Sequence, residues 1–181
     1  TIDRAAFYQK IEQTGKLPST SQPSAGQFER HYRKMMAAGA QEILSLHVTA
    51  KLSGTFQSAE LAREMLSGMV RVHPFDSACG SAGLGFMALE AARMIHKGRA
   101  MAEIMARMEV LRERMNIVLV LRDLRFAQMS GRVGRLQSSL ASLLNVKPIV
   151  VLEKGVIDVS EKVRSQRKAL ERMLDIMAER V

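Results

Sequence analysis

The sequence predicts an α/β fold, a parallel sheet with flanking helices, followed by a second α+β domain. Short apolar runs at residues 43–48 and 69–77 are typical of buried strands, and each precedes a polar loop and an amphipathic segment of helix length. Strands joined by helical crossovers pair in parallel, and the helices pack on the sheet. Further along, KPIVVLEKGVIDVSEKV predicts a β-hairpin that turns at Lys154–Gly155.

The change from helix-connected strands to a hairpin places the predicted domain boundary near residue 115. Residues 1–115 form the α/β domain with hydroxyl-rich ligand loops, and residues 116–181 begin the second α+β domain. The chain does not begin with Met, and it ends inside a helical segment. We therefore expect a piece of a longer protein, truncated at both ends, in which the second domain is incomplete.

Apolar residues spaced by three and four predict the helices. A capping box at Ser24 and Gln27 starts one of them, and Gly39 and Gly98 suit helix ends. The predicted helical segments are residues 3–14, 24–38, 56–66, 86–97, 101–115, 121–129, 136–145 and the C-terminal segment. The faces expected to be buried include Phe28, Tyr32, Met35 and Met36; Phe56, Ala59, Ala62 and Leu66; and Leu170, Met173, Leu174 and Met177.

The composition describes a basic chain with enough apolar residues for a core. Its 181 residues are 47% hydrophobic and carry a net charge of +9. Such a surface suits nucleic acid, anionic lipid or an acidic partner. Seven Arg against three acids lie between Arg107 and Arg135, but a single aromatic residue, Phe126, lies among them, and a stacking platform requires several. We therefore expect no nucleic acid partner, and the basic face keeps no assigned use.

The single cysteine, Cys79, excludes an intramolecular disulfide framework, and a reducing cytoplasm is the expected location. No apolar run reaches the ~18 residues that a transmembrane helix needs. We therefore expect no membrane span.

Three loops carry most of the small polar residues: STSQPS at 19–24, LSGTFQS at 52–58, just after Thr49, and DSACGSAGLG at 76–85. The second and third follow predicted strands and open helices, so they should meet at the carboxyl edge of the sheet, where ligands bind. Helix starts expose backbone N–H groups that suit an anion. Each loop alone is more often a helix cap, and Ser53 could cap the helix at Phe56. Three such loops in one sheet balance the two interpretations, a set of caps and a shared anion site, and both stay open.

Several common chemistries have no support in the sequence. The glycines at 80, 83 and 85 do not match a dinucleotide fingerprint, and no phosphate-binding loop, zinc-protease or hydrolase-elbow motif occurs. The four His, at 31, 47, 73 and 96, lack ligand spacing, so no metal or cofactor is expected. We interpret Cys79 as a small buried residue and His47 as a structural one. Anion-holding groups without a base or nucleophile favour binding over catalysis.

Five segments in order resemble the DegV family: STSQPS, LSGTFQSAELA, DSACGSAGLGF, LRFAQMSGRVGRL and LLNVKPIVVLEKGVI. The resemblance covers nearly the whole chain. It implies a bacterial two-domain α/β protein that is not an enzyme and binds one long-chain fatty acid between its domains. Some members present the carboxylate to a separate fatty acid kinase catalytic subunit, which forms an acyl phosphate.

The resemblance also implies the binding residues. Thr20 of TSQPS and Ser53 of LSGT would hold the carboxylate, and their neighbours would complete the site: Ser21, Gly54, Thr55 and, from the family's glycine-glycine-arginine loop, Arg132. This chain departs from the family pattern because Ser130 replaces the first glycine of that loop and Phe56 replaces a common Tyr.

Two other hypotheses remain. The same loops could form an oxyanion or phosphate cradle in an enzyme acting on a phosphorylated or acyl substrate, with Asp76 or His47 as the base. The net charge of +9 would suit a nucleic-acid-binding regulator, which ranks last because no recognition motif accompanies the charge.

Overall fold

The computed structural model describes residues 2–121, 129–132 and 146–180, which form a mixed α/β structure. Its elements are α1 Arg4–Thr14, α2 Ala25–Ala37, β1 Glu42–His47, α3 Thr55–Met65, β2 Arg71–Asp76, α4 Ser81–His96, α5 Met101–Arg114, β3 Asn116–Val120, β4 Lys147–Glu153, β5 Val156–Val163 and α6 Gln166–Glu179. Within these ranges, no helix is long and apolar enough to cross a membrane. The helices predicted at 121–129 and 136–145 lie almost wholly outside the described residues.

The chain divides into two compact units. Unit 1 contains the described residues of Thr1–Ser21, Leu119–Val150 and Ile157–Val181, and unit 2 contains Gln22–Val118 and Val151–Val156. The domain boundary near residue 115 stays a prediction about the whole protein.

Unit 2 contains the parallel strand pair that the sequence predicted. β1 and β2 pair in parallel from Glu42 opposite Arg71 to His47 opposite Asp76, and α3 forms the crossover between them. Pro74 lies inside β2 opposite Ser45. Among the described residues β2 pairs only with β1, so this proline, which has no N–H to donate, stands on an edge strand.

Helices cover both faces of this strand pair, because successive strand residues point to opposite sides. On one face, Ile43 and Val72 join a core cluster with residues of α2 and α3. The other buried members of this cluster are Tyr32, Ala62 and Leu66. On the other face, Phe75 packs with α4 and α5 through Met87, Ala91, Ile104 and Met108. The predicted α/β architecture is thereby confirmed, and it brings the loops after β1 and β2 to the same edge.

Local signals placed several element ends correctly. Ser24 Oγ accepts from Gln27 N–H at 3.3 Å and Gln27 Oε1 accepts from Ser24 N–H at 2.7 Å, which is the predicted capping box of α2. Gly39 has φ +95°, as expected beyond a helix end. One start is wrong: α4 begins at Ser81, so Gly83 and Gly85 lie inside the helix and not in a preceding loop.

The buried face was wrong for part of two helices. In α2, Met35 is 45% exposed, although Tyr32 is buried. In α6, Ala169 and Ile176 form the buried side of the helix. Three residues that were predicted to lie in the core are exposed: Leu170, Leu174 and Met177. Helical spacing groups residues by face, but when two faces carry apolar residues only tertiary packing selects the buried one.

The hairpin forms as predicted, with β4 and β5 joined by Lys154 and Gly155 in a three-stranded sheet of order β3–β4–β5. Lys154 has φ +49° and Gly155 has φ +78°. Positive φ at both central residues matches the tight two-residue turn whose twist suits antiparallel strands.

We predict that Gly155→Ala lowers the free energy of unfolding by about 1–3 kcal/mol. The left-handed backbone conformation is unfavourable for alanine, and its Cβ would overlap Thr49 Oγ1. Gly85→Ala is the matched control, since that helical position faces open space and alanine should add about 0.5–1 kcal/mol. Chemical denaturation measures both. A Gly155→Ala protein as stable as the original would contradict the turn geometry.

Candidate functional site

The loop after β1 is held by one buried residue, Thr49, which is 0% exposed. Its N–H donates to the Cys79 carbonyl at 2.8 Å, and its own carbonyl accepts from Leu52 N–H at 3.1 Å and Ser53 N–H at 3.2 Å. Its hydroxyl accepts from Lys51 N–H and donates to the Gly155 carbonyl, both at 3.3 Å. Thr49 thus connects the end of β1 to the loop after β2 and to the hairpin turn, and sets the backbone course to Ser53.

Ser53 and Thr55 form a hydroxyl pair at the start of α3. Their oxygens lie 2.6 Å apart, and Ser53 Oγ also accepts from Thr55 N–H at 3.3 Å. The prediction that Ser53 caps at Phe56 is wrong, because Gly54 is the N-cap residue and has no side-chain cap. In such a pair one hydroxyl donates to the other, so the second proton remains available to a ligand oxygen.

Two helix starts at the carboxyl edge of the strand pair have a glycine as the N-cap residue, so neither N-cap residue supplies a side-chain cap. α3 begins after Gly54, and α4 begins after Gly80. By contrast, α1, α2 and α6 are capped by Asp3, Ser24 and Ser165. An uncapped start leaves backbone N–H groups and the positive end of the helix dipole for an anion.

The hydroxyl of the loop after β2 has a structural task. Ser77, at 0% exposure, donates to the His47 carbonyl at 2.7 Å and accepts from Cys79 N–H at 3.2 Å. Cys79 is also buried, and burial raises the pKa of its thiol, opposed in part by a hydrogen bond with the Gly80 backbone. A buried thiol of raised pKa is a poor nucleophile. Ser77 and Cys79 therefore stabilise the conformation of the loop, and their side chains are not available to a ligand.

His47 belongs to a buried polar chain between α2 and β1. Its Nε2 lies 2.8 Å from Ser45 Oγ, which accepts a hydrogen bond of 2.8 Å from the Tyr32 hydroxyl. The ring also meets the edge of Phe28 at a centroid distance of 5.3 Å. Burial lowers the pKa of His47, and the charge of Asp76 opposes that shift. The imidazole is therefore a satisfied structural group, as expected.

The structure groups some of the predicted site residues. Ser53, Gly54 and Thr55 are contiguous in unit 2, whereas Thr20, Ser21 and Arg132 belong to unit 1 and are exposed there. The guanidinium of Arg132 donates to the Ser130 carbonyl at 2.8 Å, and Gly131 takes φ +69°. That Thr20, Ser21 and Arg132 complete the site with Ser53 stays a prediction.

Sequence reasoning missed the partner of Gly54. Gln22, the middle residue of TSQPS, donates from Nε2 to Ser58 Oγ at 3.2 Å, and its carboxamide lies against Gly54. Its place inside a motif was the only signal, since the contact joins positions 36 residues apart.

Unit 1 has a cleft of its own, of about 370 Å³. It lies between α1 and residues 16–18, and its lining is mainly apolar with two lysines among it: Ile2, Phe7, Lys10, Ile11, Thr14, Lys16, Leu17 and Pro18. Phe7 and Ile11 lie four positions apart on one face of α1, and both contribute to the lining.

These features define a mixed α/β protein with a parallel strand pair whose carboxyl edge carries a hydroxyl pair and two uncapped helix starts. The family model described as "Uncharacterised protein, DegV family" matches residues 1–181. The chain therefore belongs to the DegV family, as the five segments indicated.

Relatives and solved structures agree with this assignment. Protein DegV of Bacillus subtilis is 33% identical over 179 residues, which are 98% of this chain and 63% of that protein. A DegV family protein from Thermus thermophilus, described as fatty acid binding, superimposes with TM-score 0.91 at 36% identity over 99% of this chain and 63% of its own. The structure of Bacillus subtilis DegV, described as a fatty acid binding protein, gives TM-score 0.84 at 32% identity, over 98% and 63%. The chain thus spans a little under two thirds of these proteins.

We predict that Thr49→Val lowers the free energy of unfolding by about 1–3 kcal/mol, because the Lys51 N–H and the Gly155 carbonyl lose a partner in the interior. Thr49→Ser keeps the hydroxyl and should recover most of that loss. Denaturant titration of the three proteins tests this, and equal stability of the valine and serine variants would contradict it.

We predict a pH dependence that comes from His47. Burial holds its folded-state pKa below the ordinary 6.5, so between those two pKa values the unfolded chain binds more protons. Its contribution to stability is complete above pH 6.5 and is lost as the pH falls toward the folded-state pKa. Melting temperatures from about pH 7.5 to 5 should fall less in His47→Gln than in the original protein. His96→Gln, at an exposed position, should keep the original slope.

Proposed function

We propose that this protein binds a long-chain fatty acid and holds its carboxylate with serine and threonine hydroxyls. The observation that carries the proposal is the Ser53–Thr55 hydroxyl pair at the uncapped start of α3, in a family whose solved members are described as fatty acid binding. Hydroxyl and N–H donors offset the desolvation of a carboxylate without supplying any catalytic group.

The acyl chain supplies most of the affinity. About fourteen buried methylenes contribute roughly 11 kcal/mol of transfer free energy at ~0.8 each. The loss of translational and conformational freedom on binding removes a large part of that. The head group therefore needs only enough contacts to orient the ligand, and a few neutral donors suffice.

The finer parts of the proposal rest on the resemblance. The fatty acid lies between the two domains, Thr20, Ser21 and Arg132 contact its carboxylate beside Ser53, and a separate kinase subunit phosphorylates it in the cytoplasm. The protein is then a carrier and not an enzyme. The Arg-rich segment from Arg107 to Arg135 is a candidate docking surface for that subunit.

A direct test is native mass spectrometry of the full-length protein purified from bacteria, with extraction of bound lipid. The proposal expects a stoichiometric C14–C18 fatty acid, roughly the length that the burial estimate suggests. An empty protein that also ignores added fatty acid would contradict it.

The enzyme alternative uses the same uncapped helix starts for a phosphate. Its two candidate bases are already engaged, since Asp76 Oδ1 accepts from Ala78 N–H at 2.9 Å and His47 lies against Ser45. Release of phosphate from an acyl phosphate by the protein alone, after rigorous removal of any kinase, would favour this alternative.

We predict that Ser53→Ala and Thr20→Ala each weaken fatty acid binding about tenfold, because each removes one donor from a carboxylate that is leaving water. Isothermal titration of the full-length protein measures the effect. Ser67→Ala, at an exposed position after α3, is the matched control and should bind normally. Unchanged binding in a folded double variant of Ser53 and Thr20 would contradict the site assignment.

A further inference from the structure

The carboxamide of Gln22 lies against Gly54, the N-cap residue of α3. Its Nε2 donates to Ser58 Oγ at 3.2 Å, and Ser58 is only 6% exposed, one turn inside α3. A Cβ built on Gly54 would overlap the Gln22 carboxamide, with the Gln22 Cδ only 2.6 Å away. The side chain thus rests on the backbone immediately beside Ser53.

A glycine at residue 54 allows this contact to form. Gly54 has φ −73° and ψ 8°, a conformation open to every amino acid, so the backbone itself does not demand glycine. A Cβ at this position would instead meet the end of the Gln22 side chain and displace it. The middle residue of TSQPS and the glycine of LSGT are therefore matched to each other.

The absence of charge on the Gln22 side chain is as important as its position. A carboxamide is neutral, so it packs at the start of α3 without neutralising the positive end of the helix dipole. A carboxylate of the same shape would satisfy that helix end internally and would repel a ligand anion. Gln22 precedes Ser53 by 31 positions, but it directly follows Thr20 and Ser21, so the chain joins it to both predicted ligand residues.

We propose that Gln22 is a positioning residue of the carboxylate site: by packing on Gly54 and bonding to Ser58, it holds its own part of the TSQPS motif, residues 22–24, at the start of α3 and keeps that start free for an anion. This inference rests on the proposed function and extends it to a residue that need not touch the fatty acid.

The first test compares a charged ligand with a neutral one. The ligands are radiolabelled hexadecanoate and hexadecan-1-ol, partitioned from cyclodextrin into the full-length protein and its Gln22→Glu variant. We expect hexadecanoate to bind about tenfold or more weakly to the variant, and the alcohol to change less than about twofold, because only the charged head group meets the new carboxylate. Damage to the fold would weaken both ligands together.

The second test asks whether Gln22 and Gly54 act as one unit. Gln22→Ala and Gly54→Ala should each weaken hexadecanoate binding about three- to tenfold, the second because its methyl group displaces the carboxamide. The hexadecanoate affinity of the double variant should lie within about twofold of that of the weaker-binding single variant, since the same contact cannot be lost twice. Two effects that simply multiply would overturn the matched pair.

The outcomes separate this inference from the function on which it rests. Failure of the unmodified protein to bind hexadecanoate would overturn the proposed function itself. Normal binding by the unmodified protein, with an unchanged or equally weakened response to both ligands in Gln22→Glu, would overturn the role of Gln22 alone. Gln22 is exposed in the loop before α2, so the fold should tolerate its substitution, and melting temperatures of the unliganded proteins verify this.

Discussion

The structure of the candidate site depends on the hydrogen bonds of Thr49. A loop that leaves a buried strand must satisfy its backbone groups without a sheet partner, and an unmet group in the interior is costly. Thr49 meets this demand for three segments at once, through Cys79, Ser53 and Gly155. Because the hairpin turn is one of these segments, a contact between residues more than 100 positions apart determines the path of the loop that carries Ser53.

The small polar residues divide their tasks according to burial. Ser77 lies in the interior and forms its hydrogen bonds with backbone groups, whereas Ser24 caps the N-terminus of α2. Ser53 and Thr55 bond mainly to each other, Ser53 Oγ also accepts from the first N–H of α3, and the N-cap residue Gly54 supplies no side-chain cap. An uncapped helix start costs some stability, and this cost is consistent with a site kept for an anion.

Part of the positive charge of the described helices is paired within the chain. Several arginines of the described helices are paired with nearby carboxylates, as Arg107 is with Glu90 and Arg172 with Glu161. In Arg172 the hydrogen bond with Glu161 is the largest cause of a raised pKa. Such exposed pairs contribute little to stability individually.

The sequence by itself determined the parallel α/β class, the capping box of α2, the hairpin turn at Lys154–Gly155 and the hydroxyl-rich loop that carries Ser53. Each follows from local chemistry: apolar periodicity, a capping hydroxyl and residues able to adopt positive φ. Only the tertiary structure decided that α6 buries Ala169 instead of Leu170, and that Gln22 packs on Gly54. The physical reason is that burial and close approach depend on which distant surfaces meet, and spacing along one segment carries no record of its partner.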